Sequence, residues 1–354
     1  MAHDAVIPAR LNLARVCLQR QAQTTPDKIA LIVVTGDPSG AERWTYAQVE
    51  RAVRCFGAGL LQRGLAPGDR VLLRLPNTAD YPLAFFGAMA AGLVPVPVST
   101  QLTDGELAFL AGDCGAAAVV GATLPVPGLP SLDAAHLSQA QPLADYADTA
   151  AEDPAYMIYT SGTGSRPKGV VHAHRVVLGR APMRREWQAI GPDDVMLHAG
   201  AFNWSYTLGV GLLDPWAAGA TAVIYAGPRD ATIWPGLIRA TGATLFAAVP
   251  SMYRQMLKHC DLDPADFAAV RHCLAAGEAM VPAVHDGWLA ATGREVYEAL
   301  GMSECSTFVS SGPTVPVRPG SAGGALRCCR WTVAPTRLPQ ARPDCLRFTA
   351  ANRG

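Results

Sequence analysis

The chain has 354 residues, half of them hydrophobic, and its 29 acidic and 29 basic side chains cancel. A chain of this length and composition can bury a large core, which excludes a disordered protein. Because the chain has no net charge, it offers no general surface that attracts nucleic acid or an anionic membrane, and any anion has to be bound at a local site. Its nine cysteines lack metal-ligand spacing, which argues against a zinc framework. The first residues include Asp4 and do not have the charged and then apolar pattern of a secretory signal peptide, so a cytoplasmic location is expected.

The first strongly patterned helix begins at a capping box. Thr45 and Gln48 have the required spacing, and apolar residues recur at helical intervals from Val49 to Leu61. Glycine and proline after Gly64 end this helix. Alternating elements follow, with a strand over 71–75, a helix over 81–91 and a strand over 94–98.

The same alternation returns after a proline-rich connector at 124–130. Strands are predicted near 156–160, 222–225 and 245–249, with helices near 208–218, 233–241 and 251–259. Alternation of this kind predicts parallel sheets covered by helices on both faces. The predicted fold class is therefore α/β, with two doubly wound α/β subdomains over residues 10–150 and 151–323 and an atypical tail over 324–354.

Two stretches without Asp, Glu, Lys or Arg approach the length of a membrane span. They cover residues 82–103 and 196–213. Pro95 interrupts the first stretch, and the second contains His198 and Asn203. Both are therefore expected to be core elements of an α/β protein and not membrane helices.

A run rich in glycine and hydroxyl groups follows the predicted strand that ends at Thr160. Glycines let backbone amides approach phosphate oxygens, hydroxyls add donors, and a lysine adds positive charge, so the run predicts a phosphate-binding loop. Pro167 and Gly169 beside the lysine exclude a Walker loop, and Pro167 also stands where a dinucleotide fingerprint needs its third glycine. The run reads Ser161-Gly162-Thr163-Gly164-Ser165-Arg166-Pro167-Lys168-Gly169.

With Tyr159 and Thr160 in front, this run resembles the signature loop of the adenylate-forming (AMP-binding) superfamily. That superfamily contains acyl- and aryl-CoA synthetases, luciferases and peptide-synthetase adenylation domains. The family's usual second Thr and following Gly appear here as Gly164 and Ser165, which keeps small and hydroxyl-bearing residues. The resemblance implies that the residues from Thr160 to Ser165, with Lys168 and Gly169, bind the phosphates of ATP.

Two further motifs resemble the same family in order and spacing. Ala276-Gly277-Glu278 is similar to the turn that borders the adenine, and Leu300-Gly301-Met302-Ser303-Glu304 is similar to the motif that closes the nucleotide site. Leu300 stands where the family often has a tyrosine. The resemblance implies that Ser303 contacts the α-phosphate, that Glu304 holds Mg²⁺ and that Lys168 acts with them in catalysis. The implied adenine-binding residues are Gly277, Glu278, Ala279, Leu300 and Gly301.

The chemistry implied by the family calls for such residues. A carboxylate attacks the α-phosphorus of ATP while pyrophosphate leaves, and both reactants are anionic. Catalysis is then mostly positioning and charge neutralisation, and one protein carboxylate is enough to anchor a Mg²⁺ that bridges phosphates. ATP, Mg²⁺, coenzyme A as co-substrate and a small carboxylic acid are the expected ligands, and a carrier protein is an alternative acceptor.

An aromatic segment, Ala201 to Tyr206, stands where the family commonly has an aromatic-histidine segment beside the acyl group, and Asn203 replaces that histidine. Aromatic rings with a polar group suit an aryl or medium-chain acid. Core packing explains Phe202 and Trp204 equally well. The implied acid pocket consists of Phe202, Asn203, Trp204, Tyr206 and Ala299.

His172 and His174 could share one strand face as metal ligands. A zinc site needs at least three protein ligands, and no third is near them in the sequence. They are expected to be ordinary histidines that lead into a helix.

The resemblance covers residues 10–323, and the sequence after Gly323 differs in character. It carries six arginines, three cysteines and no lysine, and no lysine follows Lys258 at all. A complete family member would continue into a ribose-binding Asp motif, a hinge and a small C-terminal domain with a catalytic Lys. The sequence therefore predicts an acid–CoA ligase with impaired turnover, with the barrel-like subdomain largely missing, no lid domain and a tail from a shifted reading frame.

Two alternatives remain for this chain. It could be a non-catalytic nucleotide-binding or partner-binding protein that kept the fold and lost the chemistry. It could also be one half of a split enzyme whose small lysine-containing domain is a separate chain.

Overall fold

The computed structural model describes residues 5–121, 126, 128–160, 166–228, 230–318, 320–326 and 331–333. The predicted loop residues Ser161 to Ser165 lie outside these ranges. Most of the tail also lies outside them, so its predicted origin in a shifted reading frame stays a prediction.

The described residues form strands and α-helices in alternation along much of the chain. The strands are β1 (Ala5–Ile7), β2 (Ile29–Val34), β3 (Glu42–Thr45), β4 (Arg70–Leu73), β5 (Val94–Pro97), β6 (Ala116–Val120), β7 (Ser131–Leu132), β8 (Pro154–Thr160), β9 (Lys168–Ala173), β10 (Val195–His198), β11 (Thr221–Tyr225), β12 (Leu245–Ala248), β13 (His272–Ala276), β14 (Val296–Met302), β15 (Ser306–Ser310), β16 (Gly324–Ala325) and β17 (Trp331–Val333). The α-helices are α1 (Leu13–Thr24), α2 (Tyr46–Gln62), α3 (Asp80–Ala90), α4 (Asp104–Cys114), α5 (Ala134–Leu137), α6 (Val176–Gly179), α7 (Ala181–Met183), α8 (Ser205–Leu208), α9 (Asp214–Ala218), α10 (Trp234–Thr241), α11 (Pro250–His259) and α12 (Pro282–Thr292).

The larger sheet has nine strands in the order β16-β15-β14-β13-β12-β10-β11-β2-β3. The six strands from β14 to β2 are parallel, while β3, β15 and β16 are antiparallel at the two edges. The parallel strands β2, β10, β11, β12 and β13 are mostly apolar and buried, as expected when helices cover both faces, whereas β14 is exposed at its carboxyl end. The prediction of an α/β fold with a parallel sheet is confirmed.

The smaller sheet contains four parallel strands in the order β5-β4-β6-β7. Strands β2 and β3 come from the first 45 residues, yet they lie in the larger sheet. The chain therefore passes from the larger sheet to the smaller one and back again. The division into subdomains near residue 150 stays a prediction.

The strand predicted over 156–160 is present as β8, but it does not join a parallel sheet. It pairs antiparallel with β9 in a separate two-stranded ribbon. The connection between Thr160 and Lys168 is too short for a parallel crossover, which takes about a dozen or more residues. The phosphate-loop motif thus connects the two strands of a hairpin.

The predicted capping box forms at the start of α2. The Thr45 hydroxyl accepts a hydrogen bond from the Gln48 amide at 3.2 Å, and the Gln48 side chain accepts one from the Thr45 amide at 2.8 Å. The helix predicted over 208–218 consists of α8, a π-helical turn over Gly209–Leu213 and α9. Local sequence signals therefore placed these elements well.

Both uncharged stretches are largely buried, as predicted for core elements, although Gln101 and Trp204 are exposed. Residues 82–103 contain α3 and β5, and residues 196–213 contain β10 and α8. Helices α2 and α3 pack closely at Gly57 and Gly87, where a Cβ on Gly57 would lie 2.7 Å from the Gly87 carbonyl oxygen. Within the described ranges, no helix is long and apolar enough to cross a membrane.

Candidate active site

The topology of the two sheets defines where a ligand can enter. Strand β10 lies between β11 and β12, so the chain leaves β10 toward one neighbour and returns on its other side. Strand β4 has the same position between β5 and β6. Open α/β sheets bind ligands in the crevice at the carboxyl ends of such strands.

A 430 Å³ pocket occupies this crevice, and we call it the switch-point pocket. Leu75 and Val98 line it from the carboxyl ends of β4 and β5, and His198, Tyr225 and Val249 line it from the ends of β10, β11 and β12. Its volume is in the usual range for small-molecule sites, ~300–1,000 Å³. Further lining residues used below are Asn203, Trp204, Tyr206 and Trp234.

The structure separates the predicted acid-pocket residues into two groups. Asn203, Trp204 and Tyr206 line the switch-point pocket, and Trp204 is 64% exposed. Phe202 instead stacks on Tyr81 with ring centroids 5.2 Å apart. Ala299 is buried in an apolar cluster against which Tyr206 packs. Phe202 and Ala299 are therefore not lining residues of this pocket, and core packing explains Phe202.

Asn77 holds the backbone of the aromatic segment in place. Its side-chain amide donates to the Gly200 carbonyl at 2.8 Å, and its oxygen accepts from the Phe202 amide at 3.3 Å. The Tyr81 hydroxyl donates to the Phe202 carbonyl at 2.8 Å. Asn77, which follows β4, and Tyr81 of α3 thereby hold the segment that follows β10 and lines the pocket.

The closing motif forms the end of β14 and the turn into β15. A Cβ on Gly301 would lie 2.5 Å from the Ser306 carbonyl oxygen, so this position requires glycine. Ser306 has a φ of 59°, which is unusual for a residue other than glycine. Leu300 and Met302 are 51% and 54% exposed, so both present apolar surface at the protein surface.

Ser303 connects the closing motif to the aromatic segment. Its Oγ lies 2.9 Å from Ser205 Oγ, within hydrogen-bonding distance. Ser205 stands between Trp204 and Tyr206, which line the switch-point pocket. The residue predicted to contact the α-phosphate is thus adjacent to the predicted acid-binding segment.

Glu304 is exposed and lines a second pocket of 290 Å³ together with His172, Arg180 and Ser306. The described part of the chain holds no group of three or more His, Cys, Asp or Glu side chains suited to a metal ion. A single carboxylate suits Mg²⁺, which is usually bound through one or two carboxylates, substrate phosphates and water. The donor set therefore fits a metal that arrives with a nucleotide.

The predicted adenine-binding residues lie at the ends of two neighbouring strands. Gly277, Glu278 and Ala279 follow β13, while Leu300 and Gly301 belong to β14, which pairs with β13. Gly277 has a φ of 97°, a conformation that favours glycine. The Glu278 carboxylate accepts a hydrogen bond from the Ser251 amide at 2.6 Å. The fold therefore brings both adenine motifs together.

The phosphate-loop hairpin is anchored to helix α4. The Tyr159 hydroxyl donates to Asp113 at 2.6 Å, and the Arg166 guanidinium lies 6.0 Å from the centre of the Phe109 ring. Thr160 pairs with Lys168 at the end of the hairpin next to the connecting loop, and Lys168 and Gly169 are exposed there. The phosphate-binding role of the hairpin stays a prediction.

His172 and His174 have structural partners. His172 stacks on Tyr156 with ring centroids 4.7 Å apart, and His174 Nδ1 accepts from the Leu13 amide at 3.0 Å. Burial lowers the pKa of each to about 4, and Arg180 adds to the effect on His172. Both residues are buried, and they precede helix α6, which begins at Val176.

A buried ion pair supports the closing turn, and the sequence motifs did not indicate it. Arg180 donates to both carboxylate oxygens of Asp214, and its third nitrogen donates to Ser306 Oγ at 2.9 Å. Burial alone would lower the pKa of Arg180, but attraction to Asp214 and hydrogen bonding with it raise that pKa. Charged residues within apolar helical segments were the available signal.

His198 and Trp234 were also missed, although both line the switch-point pocket. His198 is the last residue of β10, and its ring packs edge-on against Tyr206 at 4.4 Å between centroids. Burial lowers the pKa of His198 to about 3, so the ring is neutral near pH 7. A polar residue at the carboxyl end of a buried strand was the signal for His198.

Comparison with known proteins identifies relatives with similar sequences. The benzoate–CoA ligase of Thauera aromatica is 31% identical over 306 residues, which cover 80% of this chain and 58% of that protein. The 3-hydroxybenzoate–CoA ligase of Aromatoleum sp. (strain CIB) is 28% identical over 85% of this chain and 61% of its own length. The chain thus spans about three fifths of these relatives.

Two solved structures of CoA ligases have a similar fold. A benzoate CoA ligase from Burkholderia xenovorans LB400 superposes with a TM-score of 0.80 at 29% identity, covering 89% of this chain and 66% of that one. An anthranilate CoA ligase in complex with anthranoyl-AMP superposes with a TM-score of 0.82 at 26% identity, covering 90% and 64%.

A family model described as AMP-binding enzyme matches residues 18–338, beyond Gly323, where the motif resemblance ends. This match shows that the chain belongs to the AMP-binding enzyme family.

Proposed function

We propose that this chain carries the adenylation site of an ATP-dependent ligase that joins an aromatic carboxylic acid to coenzyme A. A carboxylate oxygen of the acid attacks the α-phosphorus of ATP, the bond to pyrophosphate breaks, and an acyl-adenylate forms. The thiol of coenzyme A then replaces AMP on the acyl carbon. The proximity of Ser303 to Ser205 carries this proposal, because it joins the nucleotide motif to the aromatic pocket segment.

Each site residue has a part in the proposed reaction. Lys168 and the hairpin loop bind the phosphates, Ser303 binds the α-phosphate, and the ends of β13 and β14 border the adenine. Asn203, Trp204 and Tyr206 form the acid-binding wall. Mg²⁺ would be held by Glu304 and would neutralise phosphate charge. We place the reaction in the cytoplasm, where ATP and coenzyme A are supplied.

The test separates nucleotide binding from turnover. Isothermal titration with Mg·ATP measures the first, and benzoate-dependent release of pyrophosphate measures the second. We expect Mg·ATP to bind and pyrophosphate release to be slow. No lysine follows Lys258 in this sequence, so none can act like the C-terminal lysine of the family and add a second positive charge beside that of Lys168. Absence of Mg·ATP binding would refute the proposal.

Lys168→Ala tests the phosphate contact directly. Removing this positive charge should weaken Mg·ATP binding by about tenfold, the effect of a charge-assisted hydrogen bond. Lys258→Ala, an exposed lysine near the end of α11, is the matched control and should bind as the unchanged chain does. ATP binding with no pyrophosphate release for any of a panel of acids would favour the nucleotide-binding alternative.

A further inference from the structure

Helix α4 carries a carboxylate at a place that the stability of the helix does not explain. Asp113 is exposed and is the residue before the last of α4. A negative charge is unfavourable at the carboxyl end of a helix, where the terminal carbonyl groups already carry a partial negative charge, and aspartate is a poor helix former. What Asp113 does in the structure is accept a hydrogen bond from the Tyr159 hydroxyl at 2.6 Å.

The carboxyl end of α4 is itself held in place. Arg70, the first residue of β4, donates to the carbonyl oxygens of Cys114 and Gly115, both at 2.8 Å. These bonds satisfy carbonyl groups that the end of a helix otherwise leaves to water. Asp113 is therefore fixed relative to the smaller sheet.

The Tyr159 ring connects this fixed point to the hairpin of β8 and β9. Tyr159 pairs with Gly169 across the hairpin, and a Cβ on Gly169 would lie 3.4 Å from Cζ of the Tyr159 ring. The ring also packs with Met157 against an apolar cluster formed by α4 and the smaller sheet. A cross-strand aromatic ring beside a glycine fixes the register of a strand pair. Lys168, the residue before Gly169, is held by the same pairing.

A second contact lies on the same face of α4. Phe109 is one helical turn before Asp113, and the Arg166 guanidinium lies 6.0 Å from the centre of its ring. Arg166 stands two residues before Lys168. The chain thus contacts one face of α4 both before and after the loop that connects the two strands.

We propose that Asp113 is a positioning residue, which holds Lys168 in place for the phosphates of the nucleotide by orienting Tyr159. This inference rests on the proposed adenylation function, in which Lys168 binds those phosphates. Asp113 acts through Tyr159 and Gly169 and not on the nucleotide itself.

Asp113→Ala separates this role from two others. It should weaken Mg·ATP binding about fivefold in titration calorimetry, the effect of losing one hydrogen bond that orders the site. A carboxylate that acted on an anion only through its charge would have the opposite effect, since its removal would strengthen binding. A residue that only stabilised the fold would lower the urea midpoint, whereas this variant should keep or raise it, because alanine favours the helix and a charge leaves its carboxyl end.

Three further variants assign the effect to the hydrogen bond. Asp113→Asn keeps an acceptor oxygen and should retain most of the Mg·ATP affinity. Tyr159→Phe keeps the ring and should weaken binding as much as Asp113→Ala does. Combining Tyr159→Phe with Asp113→Ala should cause no additional loss, because both changes break the same bond. Asp261→Ala, which removes an exposed carboxylate after α11, is the matched control and should bind Mg·ATP as the unchanged chain does.

Adenosine provides a readout that does not depend on the phosphates. It lacks the groups that Lys168 binds, so all the variants should bind adenosine as the unchanged chain does. The affinity ratio of Mg·ATP to adenosine should therefore fall about fivefold in Asp113→Ala and in Tyr159→Phe.

The outcomes distinguish the two proposals. If the unchanged chain binds Mg·ATP and Asp113→Ala binds it equally or more tightly, the positioning inference is wrong while the adenylation site stands. Additive losses in the combined variant, or an equal loss of adenosine affinity, would also overturn the inference. If the unchanged chain does not bind Mg·ATP, the proposed function itself fails, and the inference fails with it.

Discussion

The buried pair Arg180–Asp214 makes a quantitative prediction about stability. Asp214 is fully buried and accepts hydrogen bonds from Arg180 at 2.8 and 2.5 Å and from Gln188 at 2.7 Å, with Arg184 at 3.6 Å. Asp214→Asn keeps the side-chain volume but leaves the guanidinium of Arg180 without its countercharge. Removing one partner of a buried ion pair costs about 3–5 kcal/mol, and we expect a loss of this size.

Urea unfolding followed by circular dichroism measures this loss from the shift in midpoint and slope. The matched control is Asp148→Asn, which removes the partner of Arg10 in a pair whose side chains are 80% and 53% exposed. Exposed pairs contribute ~0–1 kcal/mol, so the control should change little. A loss for Asp214→Asn no larger than that of the control would refute the reasoning.

A double replacement separates stability from site support. Arg180→Met/Asp214→Leu removes both charges, and apolar replacement of a buried pair is often neutral or stabilising. The same variant loses the Arg180 hydrogen bond to Ser306, which supports the turn that carries Ser303 and Glu304. Gln188 and Arg184 also lose their contact with Asp214, so we expect a loss of stability that is smaller than in Asp214→Asn but not zero. We also expect weaker Mg·ATP binding by titration calorimetry.

Two further predictions concern backbone packing and pH. Gly301→Ala should destabilise the chain by about 1–3 kcal/mol and weaken Mg·ATP binding, because the new Cβ meets the Ser306 backbone. The control is Gly236→Ala in α10, where the space around the new Cβ is open. This variant should be slightly more stable than the unchanged chain in the same urea assay. Burial lowers the pKa of His174 from 6.5 to about 4, so between these pH values the unfolded chain binds a proton that the folded chain does not. The free energy of unfolding should therefore fall by ~1.4 kcal/mol per pH unit as the pH drops from 6.5 toward 4. His174→Asn keeps an acceptor for the Leu13 amide and should reduce that pH slope in urea unfolding at pH 7, 6 and 5; an unchanged slope would contradict the assignment.

Local signals were enough to predict some of the elements, such as α2, β4, β5, β11 and β12, but not β2, β10 or β13. The capping box at Thr45 and the buried apolar strands were read from short-range patterns, and the motif order indicated the family. The predicted adenine motifs lie side by side because adjacent parallel strands carry them, which follows from the fold class.

Long-range pairing could not be predicted in the same way. Nothing in the local pattern of residues 29–45 shows that they complete the larger sheet beside β11. The orientation of Phe202 toward Tyr81, and not toward the pocket, depends on a contact 121 positions away.

The position of β2 in the larger sheet has a consequence for synthesis on the ribosome. Thr221 donates a hydrogen bond to the Ile29 carbonyl, 192 positions earlier in the chain. At about 5–20 residues per second, β2 has to wait on the order of ten seconds or more before its neighbour β11 is made. During that interval the apolar face of β2 is exposed to other nascent chains, so the yield of folded protein should depend on translation speed and on chaperones that bind early segments.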